Sequence, residues 1–214
     1  MRVLLLSAYD AHSHRYWAQA LQSMFHEWRW TALALPPRHF SWRVRGNPLY
    51  WSLAERECLE GSYDLLIATS MVDLATLRGL VPALTEVPTV LYFHENQFAY
   101  PQRRAQRLVE AQMVSLYAAL AADSVVFNSR FNRETFASGC SALLRRLPDY
   151  VPRDVPNRLQ SKSSVLPVPL MPALHREREA PSVYSTGQDR ALRLLWSGRF
   201  EHDKNGRGLY LLLQ

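Results

Sequence analysis

Cysteine is nearly missing from this 214-residue chain: Cys58 and Cys140 stand far apart in no metal-like spacing. That excludes a disulfide framework and a zinc ribbon, and two free thiols suit a cytoplasmic setting. Lysine is almost as scarce, with only Lys162 and Lys204, so the formal charge of +6 rests on arginine. Arginine suits bidentate phosphate contacts, which fits an anionic ligand or RNA; a high-GC genome produces the same bias. No stretch of eighteen apolar residues occurs, so no transmembrane helix is expected. The apolar start Met1–Leu6 is too short for a signal peptide, and Tyr9-Asp10-Ala11-His12 offers no cleavage region. Also absent are a P-loop, a G-x-G-x-x-G turn, a G-x-S-x-G elbow and a zinc-like cluster, so no short motif settles the chemistry.

What is present is an ordinary globular composition, 48% hydrophobic and 21% charged, long enough for one large domain or one domain with part of a second. Val3–Ser7 reads as a first strand, and apolar residues at helical spacing (Tyr16, Trp17, Ala20, Leu21, Met24, Phe25) predict a helix over His12–Glu27. Trp28–Leu35 reads as a second strand, ended by Pro36-Pro37. The next stretch interleaves Arg38, His39, Phe40, Trp42, Arg43 and Arg45 before Gly46-Asn47-Pro48 and reads as a loop. Such a loop either grips nucleotides by charge and stacking or packs its aromatics onto the domain. Tyr50–Leu59 and Val72–Leu80 are predicted helices, with a strand over Tyr63–Thr69 between them.

The run Pro88–Pro101, PTVLYFHENQFAYP, is the centre of the reading. An apolar, β-branched strand stops at His94-Glu95-Asn96, and in open parallel α/β sheets ligands bind at the carboxyl ends of the strands. A helix over Arg103–Ala122 follows, then a strand over Ser124–Phe127 ending in Asn128-Ser129. The helix after that, Phe131–Arg146, contains Gly139, which marks its end or a break. Strand and helix alternate at least four times, which predicts an α/β fold with a Rossmann-like parallel sheet flanked by helices. Asp149–Arg190 breaks the rhythm with prolines, serines and charges, with one short strand near Ser163–Val168, and a fresh strand begins at Ala191. The expected organisation is a domain over residues 1–165, a linker over 166–190 and the start of a second domain over 191–214.

Two constellations carry candidate chemistry. Ser7–His14, Thr69-Ser70, His94-Glu95-Asn96 and Asn128-Ser129 all open on one edge of the sheet; His94 is a functional or a structural histidine there, and Glu95 orients it or faces solvent. Gly198-Arg199 with Lys204 either reaches a diphosphate at a helix N-terminus or forms a solvated charged turn.

Four strings taken in order, TSMVDLATLRGLVPAL, VPTVLYFHENQFAYP, EAQMVSLYAALAADSVVFNSRFNRETF and LLWSGRFEHDKN, resemble the glycosyltransferase-like family that includes tRNA-queuosine alpha-mannosyltransferase, within the retaining GT-B glycosyltransferases. The resemblance implies two facing Rossmann-like domains, an acceptor-side N-terminal half and a nucleotide-sugar-binding C-terminal half. It implies GDP-mannose as donor and queuosine in tRNA as acceptor, with no metal and no further cofactor. By the same resemblance His94 sits at the transferring sugar as the catalytic residue, and Arg199 and Lys204 hold the donor diphosphate. Ser13, His14, Ser70, Glu95, Asn96, Asn128 and Ser129 would line the acceptor side and the cleft. The chain departs from the family pattern in two places. Asp10-Ala11-His12 stands where relatives often carry a glycine pair, and after Asn205 the sequence changes to Gly206-Arg207-Gly208 and ends at Gln214. The expectation is a truncated form carrying only the start of the donor domain; the other reading is a non-catalytic, tRNA-binding fragment.

Overall fold

The computed structural model describes residues 1–99 and 105–170; the first compact unit runs Met1–Pro169. The expected second domain and most of the linker lie outside the described residues. Six strands, β1 (Arg2–Ser7), β2 (Arg29–Ala34), β3 (Leu65–Thr69), β4 (Thr89–Phe93), β5 (Ser124–Phe127) and β6 (Ser163–Val165), form one sheet in the order β2-β1-β3-β4-β5-β6. Every pairing is parallel. The Rossmann-like expectation is borne out, and the reason lies in strands such as Val3-Leu4-Leu5-Leu6, all 0–2% exposed. A strand covered on both faces needs an unbroken apolar run, and that is the habit of parallel sheets.

Alternate residues sort onto the two faces. Leu4, Leu6, Leu66, Leu91, Phe93, Val125 and Phe127 share a large core with helices α2 (Phe40–Ala54), α4 (Leu74–Leu80), α5 (Ala105–Ala121), α6 (Arg130–Arg146) and α7 (Val155–Ser161). Val3, Leu5, Ile67, Tyr92 and Val126 form a smaller core capped by Trp17 of α1 (His12–Met24). The one-turn α3 (Arg56–Leu59) and a 3-10 turn at Pro82–Leu84 complete the unit. Arg78 of α4 staples the layers together, its guanidinium donating to the Val87 carbonyl (2.9 Å), Thr89 Oγ1 (2.6 Å) and the Ala121 carbonyl.

Three local expectations fail. The Arg- and aromatic-rich stretch at 38–48 is not a loop: α2 begins at Phe40 and runs through Pro48. Proline has no N–H, so the Val44 carbonyl loses its helical donor. The neighbouring Asn47 replaces it, its Nδ2 donating to Val44 (3.0 Å), Arg43 (2.7 Å) and Met71 (3.3 Å) carbonyls while its Oδ1 accepts from Asp73 N–H. Phe40 packs edge-on to Tyr9, so one aromatic of the stretch does dock on the domain. Second, Gly139 neither ends nor breaks α6. A Cβ built there would lie 2.3 Å from Phe98 Cβ, so the glycine is required by the close approach of the loop after β4. Third, α7 adds a short helix inside the proline-rich stretch, with Pro156 in its first turn, where the fixed proline φ is tolerated.

Candidate functional site

The sheet order reverses between β1 and β3, and such a switch point opens a crevice at the carboxyl ends of the strands. Thr69 pairs with Tyr92, and Leu6 with Ala68, so Ser7 and Thr69 follow the Val3/Leu5/Ile67/Tyr92 parity onto the α1 face. His94, two residues past Tyr92, follows it too. His14, on the first turn of α1, descends onto that face from above.

The consequence is a stacked pair. The His14 and His94 rings lie 4.0 Å apart at 17°, although eighty positions of chain separate them. Trp17 and Tyr92 complete the surround: each meets His94 edge-on, at 4.9 and 4.8 Å, and they stack on each other at 4.4 Å. Burial pushes the His94 imidazole down to about 2, with the neighbouring His14 adding to the effect. His14 is lowered by burial against the opposing pull of Glu95 and Asp10. Burial thus favours the neutral form of both rings. Neutral imidazoles each carry one donor and one acceptor nitrogen, which suits hydroxyl-rich ligands.

Four buried polar atoms in this corner have no hydrogen-bond partner: Ser7 Oγ, Thr69 Oγ1, His14 Nδ1 and His94 Nε2. Buried polar groups are ordinarily satisfied because each orphan costs about 1–3 kcal/mol. A cluster of them on one face of adjacent strand ends makes this corner the candidate site. The first turn of α1 adds backbone donors, since Ala11 supplies no side-chain cap and the turn contains no acid.

A second layer fixes the loop that carries His94. Asn128 Nδ2 donates to the His94 carbonyl (2.6 Å), and Asn132 Nδ2 donates to the Phe93 carbonyl (3.0 Å) and Asn128 Oδ1 (2.9 Å). Asn96 Nδ2 donates to Asn132 and Thr135 of α6, while its Oδ1 accepts from the Phe98 and Ala99 amides. Ser129 caps α6 through Asn132 N–H (3.2 Å). Ser70 Oγ donates to the Glu95 carbonyl (3.2 Å).

Of the expected site residues, His14 and His94 thus meet directly. Ser70, Asn96, Asn128 and Ser129 hold the loop, Ser13 is exposed on α1, and Glu95 is half-buried beside the pair. Arg199 and Lys204 lie outside the described residues. Trp17 and Tyr92 were not singled out from sequence, although Trp17 stands one helical turn after His14, a signal that it shares its face. Among the described residues no three His, Cys, Asp or Glu side chains converge as metal ligands would. No helix among them is long and apolar enough to cross a membrane.

Comparison with known proteins places the whole described unit in one family. The model of the family described as tRNA-queuosine alpha-mannosyltransferase N-terminal matches residues 2–170. The tRNA-queuosine alpha-mannosyltransferase of Drosophila melanogaster is 30% identical over 207 residues, covering 95% of this chain and 54% of the relative. The chain therefore spans about half the length of that curated relative.

Proposed function

The chain belongs to the tRNA-queuosine alpha-mannosyltransferase N-terminal family, and from that membership we propose that it is the acceptor-side half of a cytoplasmic, retaining mannosyltransferase of GT-B architecture. Its donor is GDP-mannose and its acceptor is queuosine in tRNA. The domain over 1–165 supplies the acceptor side, and 166–190 links it to a donor domain that begins near 191. The observation that carries the reading is the orphaned polar corner at the switch point, where His14 and His94 stack beneath α1.

In the reaction, the bond from mannose C1 to the β-phosphate oxygen breaks and a bond from C1 to an acceptor hydroxyl oxygen forms. The proton of that hydroxyl leaves with the departing diphosphate. Neutral His94 hydrogen-bonds the sugar and fixes its orientation, a contribution of positioning rather than of charge. Arg199 and Lys204 offset the charge that grows on the leaving diphosphate. No metal or further cofactor is needed when cationic side chains fill that role.

Calorimetry of the 214-residue chain with queuosine-containing tRNA and with GDP-mannose, at fixed moderate salt, tests the assignment, with transfer of labelled mannose followed in parallel. The expected result is tRNA binding, and transfer only in a polypeptide that carries both halves. There, His94→Ala lowers turnover far more than stability. Equal loss of both would remove His94 from the chemistry. Absence of tRNA binding would remove this half from the acceptor side. Transfer by the 214-residue chain alone would show that the remaining donor half is dispensable.

A further inference from the structure

Helix α2 is apolar on two opposite sides. Val44 and Trp51 point into the core at 4% and 1% exposure, whereas Trp42, Leu49, Tyr50 and Leu53 remain 54%, 52%, 48% and 74% exposed. At about 100° per residue, Trp42, Gly46, Leu49 and Leu53 fall on one stripe facing away from Trp51. Gly46 flattens it: a Cβ there would sit 2.6 Å from the Trp42 ring, so the indole lies along the helix instead of standing off it. The exposed surface of these side chains is on the order of 400 Å², comparable with the largest apolar patches that monomers tolerate.

The charges around the stripe are arranged against the helix's own interest. Arg38 and Arg43 stand at its amino end, and Glu55 and Glu57 at or just past its carboxyl end, where Arg56 is already paired with Glu60 (2.8 Å). The first turn has no acid and the last turn no base, the reverse of what the macrodipole favours. An antiparallel second copy of α2 offsets both costs, because each basic end then meets an acidic one. Alignment about a point between Asn47 and Pro48 sets Trp42 opposite Leu53 and Gly46 opposite Leu49, and brings the flank that carries Arg38 to the flank that carries Glu57, twice over by symmetry. That self-complementarity is what an isologous two-fold contact requires. RNA fits less well: Leu49 and Leu53 offer no ring for base stacking, and the acidic end repels phosphate.

We infer that α2 is a self-association surface through which two copies of this chain pair antiparallel helices via Trp42, Leu49 and Leu53. The inference stands apart from the glycosyltransferase reading. The patch is about half of what a standard interface buries per partner, so the dimer forms with rising concentration and is not obligate.

Sedimentation velocity of the 214-residue chain, from roughly 1 to 100 µM, tests this. The expected result is a monomer–dimer equilibrium in that range. Leu53→Glu, at a position too exposed to disturb folding, holds the chain monomeric, with an unchanged circular dichroism spectrum as control. Glu57→Arg weakens the dimer several-fold, and Arg38→Glu added to Glu57→Arg restores it. A chain that is monomeric throughout, or a dimer indifferent to Leu53→Glu, overturns the inference. A charge-reversed double variant that stays weak overturns the antiparallel alignment. A shift that appears only with RNA, and fades with salt, assigns the stripe to nucleic acid instead.

Discussion

Two helical glycines in this protein should respond to alanine in opposite directions. Replacing glycine by alanine inside a helix ordinarily stabilises by up to about 1 kcal/mol, because alanine loses less backbone entropy on folding. At Gly79 of α4 a Cβ would meet nothing within 4 Å, so Gly79→Ala should gain about 0.5–1 kcal/mol. At Gly139 the new carbon would lie 2.3, 2.5 and 2.7 Å from Cβ, Cγ and Cδ1 of Phe98, against an ordinary carbon–carbon contact of about 3.5–4 Å. Phe98 cannot swing aside cheaply, because the closest atom is its Cβ, next to the backbone. Its amide donates to Asn96 Oδ1 at 2.9 Å, and the Asn96 amide nitrogen is bonded to Asn132 and Thr135 of the same helix α6. Loop and helix are bolted together across the very gap that would have to widen. Overpacking of this kind costs about 1–3 kcal/mol, so after the propensity gain Gly139→Ala should lose about 1–2 kcal/mol, and its Tm should fall by a few degrees. Urea titrations of the two variants and the parent, with m held in common, read this directly. Amide exchange at residues 95–99 should rise in Gly139→Ala alone. If Gly139→Ala proves as stabilising as Gly79→Ala, the close approach does not exist, and neither does the support it lends to the His94 loop.

Other outcomes follow from the same contacts. Asn47→Ala removes the surrogate donor for the Val44 carbonyl and the acceptor for Asp73 N–H, so it should cost about 1–3 kcal/mol; a loss below about 0.5 kcal/mol in urea denaturation would show that water fills the role. Stability should also fall on acidification from pH 7 to 5. His94 stays neutral in the fold, burial pushing its imidazole down to about 2, and His14 is lowered in the same direction by burial, while both imidazoles take up protons in the unfolded chain below about pH 6.5. The unfolded state then binds more protons, and His94 removes up to about 1.4 kcal/mol per pH unit, with His14 acting in the same direction. Urea midpoints at several pH values should slope less in His94→Gln, and a flat parent profile would show that His94 is not held neutral by burial.

Much of the architecture is legible in local chemistry. Unbroken β-branched and apolar runs such as Val3–Leu6 and Val125–Phe127 read as strands covered on both faces, and the polar residues that end such runs, His94 above all, mark the carboxyl edge of the sheet. Short-range signals misled where a distant group overruled them. Gly46-Asn47-Pro48 is a strong local breaker, yet α2 survives because Asn47 also reaches Met71 and Asp73, far along the chain. Gly139 reads as a helix end until Phe98 explains it.

The sequence by itself determined the alternation of strand and helix, the parallel class of the sheet and the strand end that carries His94, because periodicity and burial are properties of neighbouring residues. Only the tertiary structure decided that His14 lies on His94, that Trp17 and Tyr92 enclose the pair, and that four polar atoms are left without partners beside them. The order β2-β1-β3-β4 sets those contacts. Strand order follows from how whole faces bury one another, and no single stretch of chain encodes it.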